Sequence, residues 1–139
     1  MRSTRGTIVL AVLLTLTLGI ELQGDAADIR VLRGWLADEG CARGRGDGAK
    51  PRYGPTNPEC ARDCVRKGAK IVLILPEEKE ILNIGNQEIA KDNVGNYVEV
   101  SGSVDVTADG AHRTRIIHIG SLKMLKRGVS MCSVPEKQK

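Results

Sequence analysis

Cys41, Cys60 and Cys64 are the residues of this 139-residue chain whose types and spacing could do chemistry. Cys60-Ala61-Arg62-Asp63-Cys64 reads C-x3-C, and on a helix two residues four apart project from one face, about one turn from each other. Cys41 lies upstream, before a Gly- and Arg-rich stretch, from where it can reach the same point. Three thiolates, completed by Asp38 or Glu39, suit a soft ion such as Cu(I), or a Zn(II) site. The spacing is not the commonest for structural zinc, and no histidine lies within the insert. A disulfide framework is the plainer use: with Cys132 the count is even, and four cysteines allow three pairings. A Cys60 to Cys64 bridge within one helix is awkward, because both side chains point along the helix. Cys41 is therefore expected to pair with one of the two, leaving the other free or joined to Cys132. Closing that loop of roughly 20 residues contributes about 3 kcal/mol in the chain-entropy account. Thiol-disulfide exchange is a third use. Cys60 stands in a first helical turn, where the helix dipole favours a thiolate, and Arg62 and Arg66 add positive charge to the same helix.

The compartment decides how thiols are read. Arg2 and Arg5 precede an apolar or small-residue run, Thr7 to Ile20, followed by a short polar stretch with Ala26 and Ala27 at its end. This is the layout of a signal peptide over residues 1–26. The run of about 14 residues is shorter than the roughly 20 that cross a bilayer. No cysteine follows it for lipid attachment, and no second long apolar stretch occurs. The expectation is an exported protein, periplasmic or secreted, with no membrane span after cleavage. Such compartments favour disulfides.

Residues 27–125 make one domain's worth of chain, and 126–139 read as a basic tail. The net charge of +4 is ordinary solubility rather than a polyanion-binding signature. Past the signal, the aromatic residues are Trp35, Tyr53 and Tyr97, with no Phe anywhere. Single-stranded nucleic acid needs a row of stacking faces, so nucleic acid is excluded as an expected partner.

The elements that must position the thiols follow from periodicity. Ile29 to Asp38 reads as a first strand bent at Gly34, and Glu39 to Thr56 as a long polar loop. Asn57 offers an N-cap, Pro58 a first helical position and Gly68 a stop, which predicts a short Cys-bearing helix over Pro58 to Lys67 inside an insert, 39–69. Ile71 to Leu75 is an unbroken β-branched and apolar run, and Ile81 to Ile84 a third strand. Gln87 to Asp92 predicts one or two helical turns. Tyr97 to Val106 alternates cleanly and is interrupted at Gly102, where a bulge or bend is expected. Asp109-Gly110 marks a hairpin turn into a fifth strand, Arg115 to Leu125. Five strands, with a short helix between the third and fourth, predict a mainly β, OB-like Greek-key barrel.

Gly34-Trp35-Leu36-Ala37-Asp38-Glu39-Gly40-Cys41, Cys60-x-x-x-Cys64, Lys67-Gly68-Ala69-Lys70, Asn86-Gln87, Val98-x-Val100-x-Gly102 and Ile119 to Leu125 resemble a family of small exported bacterial proteins, largely uncharacterised, with a GWxxDxxC…CxxxC motif. The resemblance implies export and a compact OB-like β-barrel, and it implies no reaction. Many members carry a His beside the first cysteine where this chain has Gly40, which weakens a metal reading. Cys132 lies outside the shared pattern, which favours disulfide pairing.

Other residues carry weaker signals. An OB barrel commonly binds through the loop after its first strand, so Trp35, Arg43, Arg45, Lys50 and Arg52 are ligand-binding candidates, for an anionic ligand or an envelope component. The plainer reading of those charges is a solvated loop. His112 and His118 would lie about 20 Å apart along one strand, too far to share a metal. No Ser/His/Asp set or carboxylate pair stands at a catalytic spacing, so no enzymatic activity is expected. The chain therefore reads as an exported, non-enzymatic binding or structural module with a disulfide-stapled loop and no cofactor. The alternative is a thiolate site for copper or zinc, or a thiol-redox protein, using Cys41, Cys60 and Cys64.

Overall fold

A computed structural model describes residues 28–46, 51–110 and 112–130. Five strands form a closed barrel in the order β1-β2-β3-β5-β4. They are β1 (Ile29–Asp38), β2 (Ile71–Leu75), β3 (Glu80–Ile84), β4 (Tyr97–Asp109) and β5 (His112–Lys126). A 3₁₀ helix, Gln87–Asn93, joins β3 to β4, and this order is that of an OB-like barrel. The expected signal peptide, Lys50 and Cys132 lie outside the described residues. Among the described residues no helix is long and apolar enough to cross a membrane.

β1 closes the barrel by serving two neighbours. Its first part pairs with β4, from Ile29 opposite Ser103 to Trp35 opposite Tyr97, and its last part pairs with β2, from Trp35 opposite Ile74 to Asp38 opposite Ile71. Gly34 sits just before the changeover, as the bend there predicted. A methyl group on it would run into the carbonyl oxygen of Ile74. The expected irregularity at Gly102 is a register shift between Ser101 and Gly102 in the β4–β5 pairing. The remaining seam, β3 to β5, is parallel and short. Side chains extend it: the Asn86 amide both donates to and accepts from the backbone of Ile119, at 2.7 and 2.8 Å, and Glu80 pairs with Arg115.

All five residues of β2 are buried, which explains why its apolar run does not alternate. Ile71, Leu73 and Leu75 point into the barrel core with Leu36, Leu82, Val98, Val100, Ile117 and Ile119. Val72 and Ile74 point outward, into a second cluster with Ala37, Ala42, Trp35, Tyr53 and Ile81. What covers this outer face differs from the sequence expectation. The segment expected to begin as a loop at Glu39 instead opens as a helix, α1 (Glu39–Gly46), whose Ala42 and Gly46 are buried. Asp38 starts it, its Oδ2 accepting the backbone N–H of Cys41 at 2.9 Å, the placement of an N-cap. Burial of its small residues on β2 and β3 outweighs the helix cost of Gly40 and Gly44, about 1 kcal/mol each.

Candidate functional site

The second helix, α2 (Pro58–Arg66), follows its sequence signals. The Asn57 side chain accepts from the N–H groups of Glu59 and Cys60, at 3.0 and 3.3 Å, and Pro58 takes the first helical position. Gly68 follows the helix with φ +103°, a backbone region that favours glycine. One face of α2 lays Ala61 and Val65 on the barrel core. Adjacent to that face, the i,i+4 pair Cys60 and Cys64 turns toward the start of α1.

There the three thiols meet. Cys41, on the first turn of α1, and Cys60 and Cys64, on α2, are unbridged, with Cys60 exposed and the other two half-buried. Among the described residues no disulfide is formed, and the cysteines stand 4.2–4.4 Å apart, against about 2.05 Å for bonded sulfurs. Among the described residues, no three His, Cys, Asp or Glu side chains stand closely enough as placed to hold a metal ion. Sulfurs on one zinc at about 2.3 Å would be roughly 3.8 Å apart. An ion would therefore have to draw these thiols in by about half an ångström, within the reach of small χ1 changes.

Asp38 underlies the cluster. Its side chain is buried, 2 % exposed, and while Oδ2 caps α1, Oδ1 has no hydrogen-bond partner. The thiols feel this carboxylate. Burial, then the Asp38 charge and a hydrogen bond to Asp38, push the Cys41 thiol up to about 11. Partial burial, then Asp38 and Cys60, raise that of Cys64. The arginines that the sequence places near the thiols are turned away from them by helix phase. Residues two apart lie roughly 200° apart around a helix, so Arg62 and Arg66 face away from the thiols. Arg62 donates to the carbonyl of Val94 at 3.0 Å, and Arg66 pairs with Asp63 at 3.0 Å. In the reduced, metal-free protein, iodoacetamide at pH 8 is expected to modify exposed Cys60 first and Cys41 last. Cys41 should react readily only as the pH approaches about 11. Timed quenching and peptide mass measure the order, and equal rates at all three would contradict it.

The other candidates are dispersed or engaged. Arg43 pairs with Glu39 at 2.9 Å and donates to Asn83 Oδ1 at 2.5 Å, and Arg45 donates to the carbonyl of Pro55 at 2.7 Å. These two arginines hold α1 and the following segment in place. Arg52 is exposed, its backbone N–H bonded to Arg45. Trp35 is half-buried, its ring 5.0 Å from that of Tyr97 and packed in the outer apolar cluster. His118 faces Asp105 at 3.2 Å, away from the thiols on β5. Two residues with larger roles than the sequence suggested are Asn86 and Gln87. Both clamp strand ends, a role that neither their place in the shared motif nor the helical turn expected from Gln87 announces.

Comparison with protein-family models, with curated proteins and with solved structures found no match to this chain.

Proposed function

We propose that this protein is an exported, non-enzymatic binding module in which the barrel presents a three-thiol site, and that Cys41, Cys60 and Cys64 act as ligands for a soft or borderline metal ion. The convergence of three thiols from two separate helices, unbridged and 4.2–4.4 Å apart, carries this reading. Raised thiol pKa values at Cys41 and Cys64 make poor nucleophiles at neutral pH, which supports a ligand role over a catalytic one. An ion reverses that penalty, since a metal-bound thiol gives up its proton. Exposed Cys60 offers the way in. The engagement of Arg43 and Arg45 within the fold counts against an anion-binding loop as the working site.

The disulfide staple is the second reading, favoured by the same approach of Cys41 to the α2 thiols together with the expected oxidising compartment. Intact mass of the protein from its native compartment separates the two. The expected result is an added metal in the native spectrum, with three thiols that alkylate only after denaturation or chelation. A mass two hydrogens below the reduced value, with Cys41 unreactive to alkylation even after unfolding, would overturn the metal reading in favour of the staple.

A further inference from the structure

We infer that the trough between α2, the 3₁₀ helix and the end of β5 binds an anionic sugar, one that carries a carboxylate or phosphate beside free hydroxyls. This site is separate from the thiols and independent of the metal reading.

Arg62 and Arg66, which helix phase turns away from the cysteines, line a hollow of about 490 Å³ with Val65, Lys91, Asp92 and Val94. A second hollow of about 490 Å³ adjoins it, sharing Arg62 and Asp92 as a common wall and reaching Asn96 and Arg127. Each has the size of a small-molecule site. Val65 and Val94 pack with the barrel core, which fixes the floor of the first hollow.

The cations of this trough are not equally committed. Arg66 is paired with Asp63 and Lys91 with Glu88. Arg62 and Arg127 take part in no ion pair among the described residues, and both border the second hollow. Arg62 is held by its Nε bond to the carbonyl of Val94 at 3.0 Å, which leaves its terminal nitrogens for a ligand. Arg127 is held through its neighbour. The Gly128 N–H bonds to Asn96 Oδ1 at 3.1 Å, and a side chain at Gly128 would run into the carbonyl oxygen of Gly95. Two guanidiniums on one hollow present the forked donors that suit a carboxylate or phosphate.

Asn96 points to a ligand independently. It is 6 % exposed and lines the same hollow. Its Oδ1 is spent on Gly128, so its amide NH2 has no partner among the described residues. A donor so enclosed calls for an acceptor, which the anion provides. Asp92 then selects the kind of anion. A bare polyanion would meet its carboxylate with repulsion, whereas a sugar brings hydroxyl donors to it, and the Val65 floor takes the C–H face of the ring.

Calorimetric titration of galacturonate, glucose 6-phosphate, neutral glucose and inorganic phosphate into the protein purified from its native compartment tests this. Arg127 is exposed, so Arg127→Gln removes a ligand cation without disturbing the fold. Asn96→Asp keeps the acceptor for Gly128 N–H and sets a carboxylate against the bound anion. Arg113→Gln removes the same charge from an exposed position elsewhere on β5. The expected result is that an anionic sugar binds at least about tenfold more tightly than glucose or inorganic phosphate, and that Arg127→Gln and Asn96→Asp each weaken it at least about tenfold. Arg113→Gln should leave the affinity within about twofold of wild type. The tighter of the two anionic sugars identifies the anionic group. Should Asn96→Asp melt early, Arg127→Gln carries the comparison. Inorganic phosphate binding as tightly as either sugar would overturn the sugar assignment. Equal weakening by Arg127→Gln and Arg113→Gln would reduce the effect to net charge and overturn the site. Binding of neither anionic sugar at millimolar concentration would overturn the inference as a whole and leave the metal reading untouched.

Discussion

Leu73→Ala is expected to lower the stability of the barrel by about 2–5 kcal/mol, a fall of at least roughly 10 °C in the melting midpoint for a domain of this size. Leu36, Leu73 and Leu82 stand in one register row across β1, β2 and β3, and each is fully buried. Removing the middle side chain leaves a cavity walled by strands that hydrogen bonding holds in place, so the core cannot collapse into it. Val31→Ala is the control: Val31 is 63 % exposed, and its loss should change stability by no more than about 0.5 kcal/mol. Urea denaturation of both variants measures the difference. Equal midpoints would mean that the Leu73 row is not the centre of the core.

Gln87→Ala is expected to cost nearly as much, about 2–4 kcal/mol, through hydrogen bonds rather than volume. The Gln87 amide accepts from the N–H of Ile71 at 2.7 Å and donates to the carbonyls of Ile71 and Ile84 at 3.0 and 2.7 Å. It thus adds a rung to the β2–β3 ladder where β2 begins and β3 ends. Truncation strands three backbone groups at a half-buried position. Gln87→Glu separates this role from simple packing. At neutral pH it keeps the acceptor for Ile71 N–H but faces two carbonyl oxygens with a carboxylate. Folding therefore raises the pKa of the new carboxyl above its unfolded value of about 4.3. The unfolded chain then binds fewer protons than the native one, so this variant loses stability as pH rises from about 4 toward 7. A pH-independent difference from wild type, or a loss below about 1 kcal/mol in Gln87→Ala, would remove Gln87 from this role.

The two predictions concern residues of unequal visibility in the sequence. Leu73 lies in an apolar run that announces a buried strand, whereas Gln87 announces only a helical turn. Its amide becomes structural because the turn after β3 brings it back beside the first residue of β2, a meeting that no local pattern encodes. Asn86 is the same case at the β3–β5 seam, where its amide stands in for a strand backbone opposite Ile119.

What the sequence by itself determined is what short-range periodicity and capping control. The alternation of Val98, Val100, Val104 and Val106, the glycine interruptions at Gly34 and Gly102, the Asn57-Pro58 helix start and the Asp109-Gly110 turn were each legible. Together they fix the order of five strands that closes into this barrel. What only the tertiary structure decided is how separate segments meet. The α1 helix forms because its small buried residues find the outer face of β2, although three glycines in its sequence argue against a helix. That packing carries Cys41 from an expected loop to a defined place beside Cys60 and Cys64. The thiols' electrostatics followed from the same meeting: arginines two positions away in sequence turned out to face the opposite side of α2, while Asp38, a strand-end residue, came to lie beneath the cluster. Linear distance reports neighbours along a chain, but barrel closure and helix phase decide which charges share a buried space, and that is where the chemistry of this site resides.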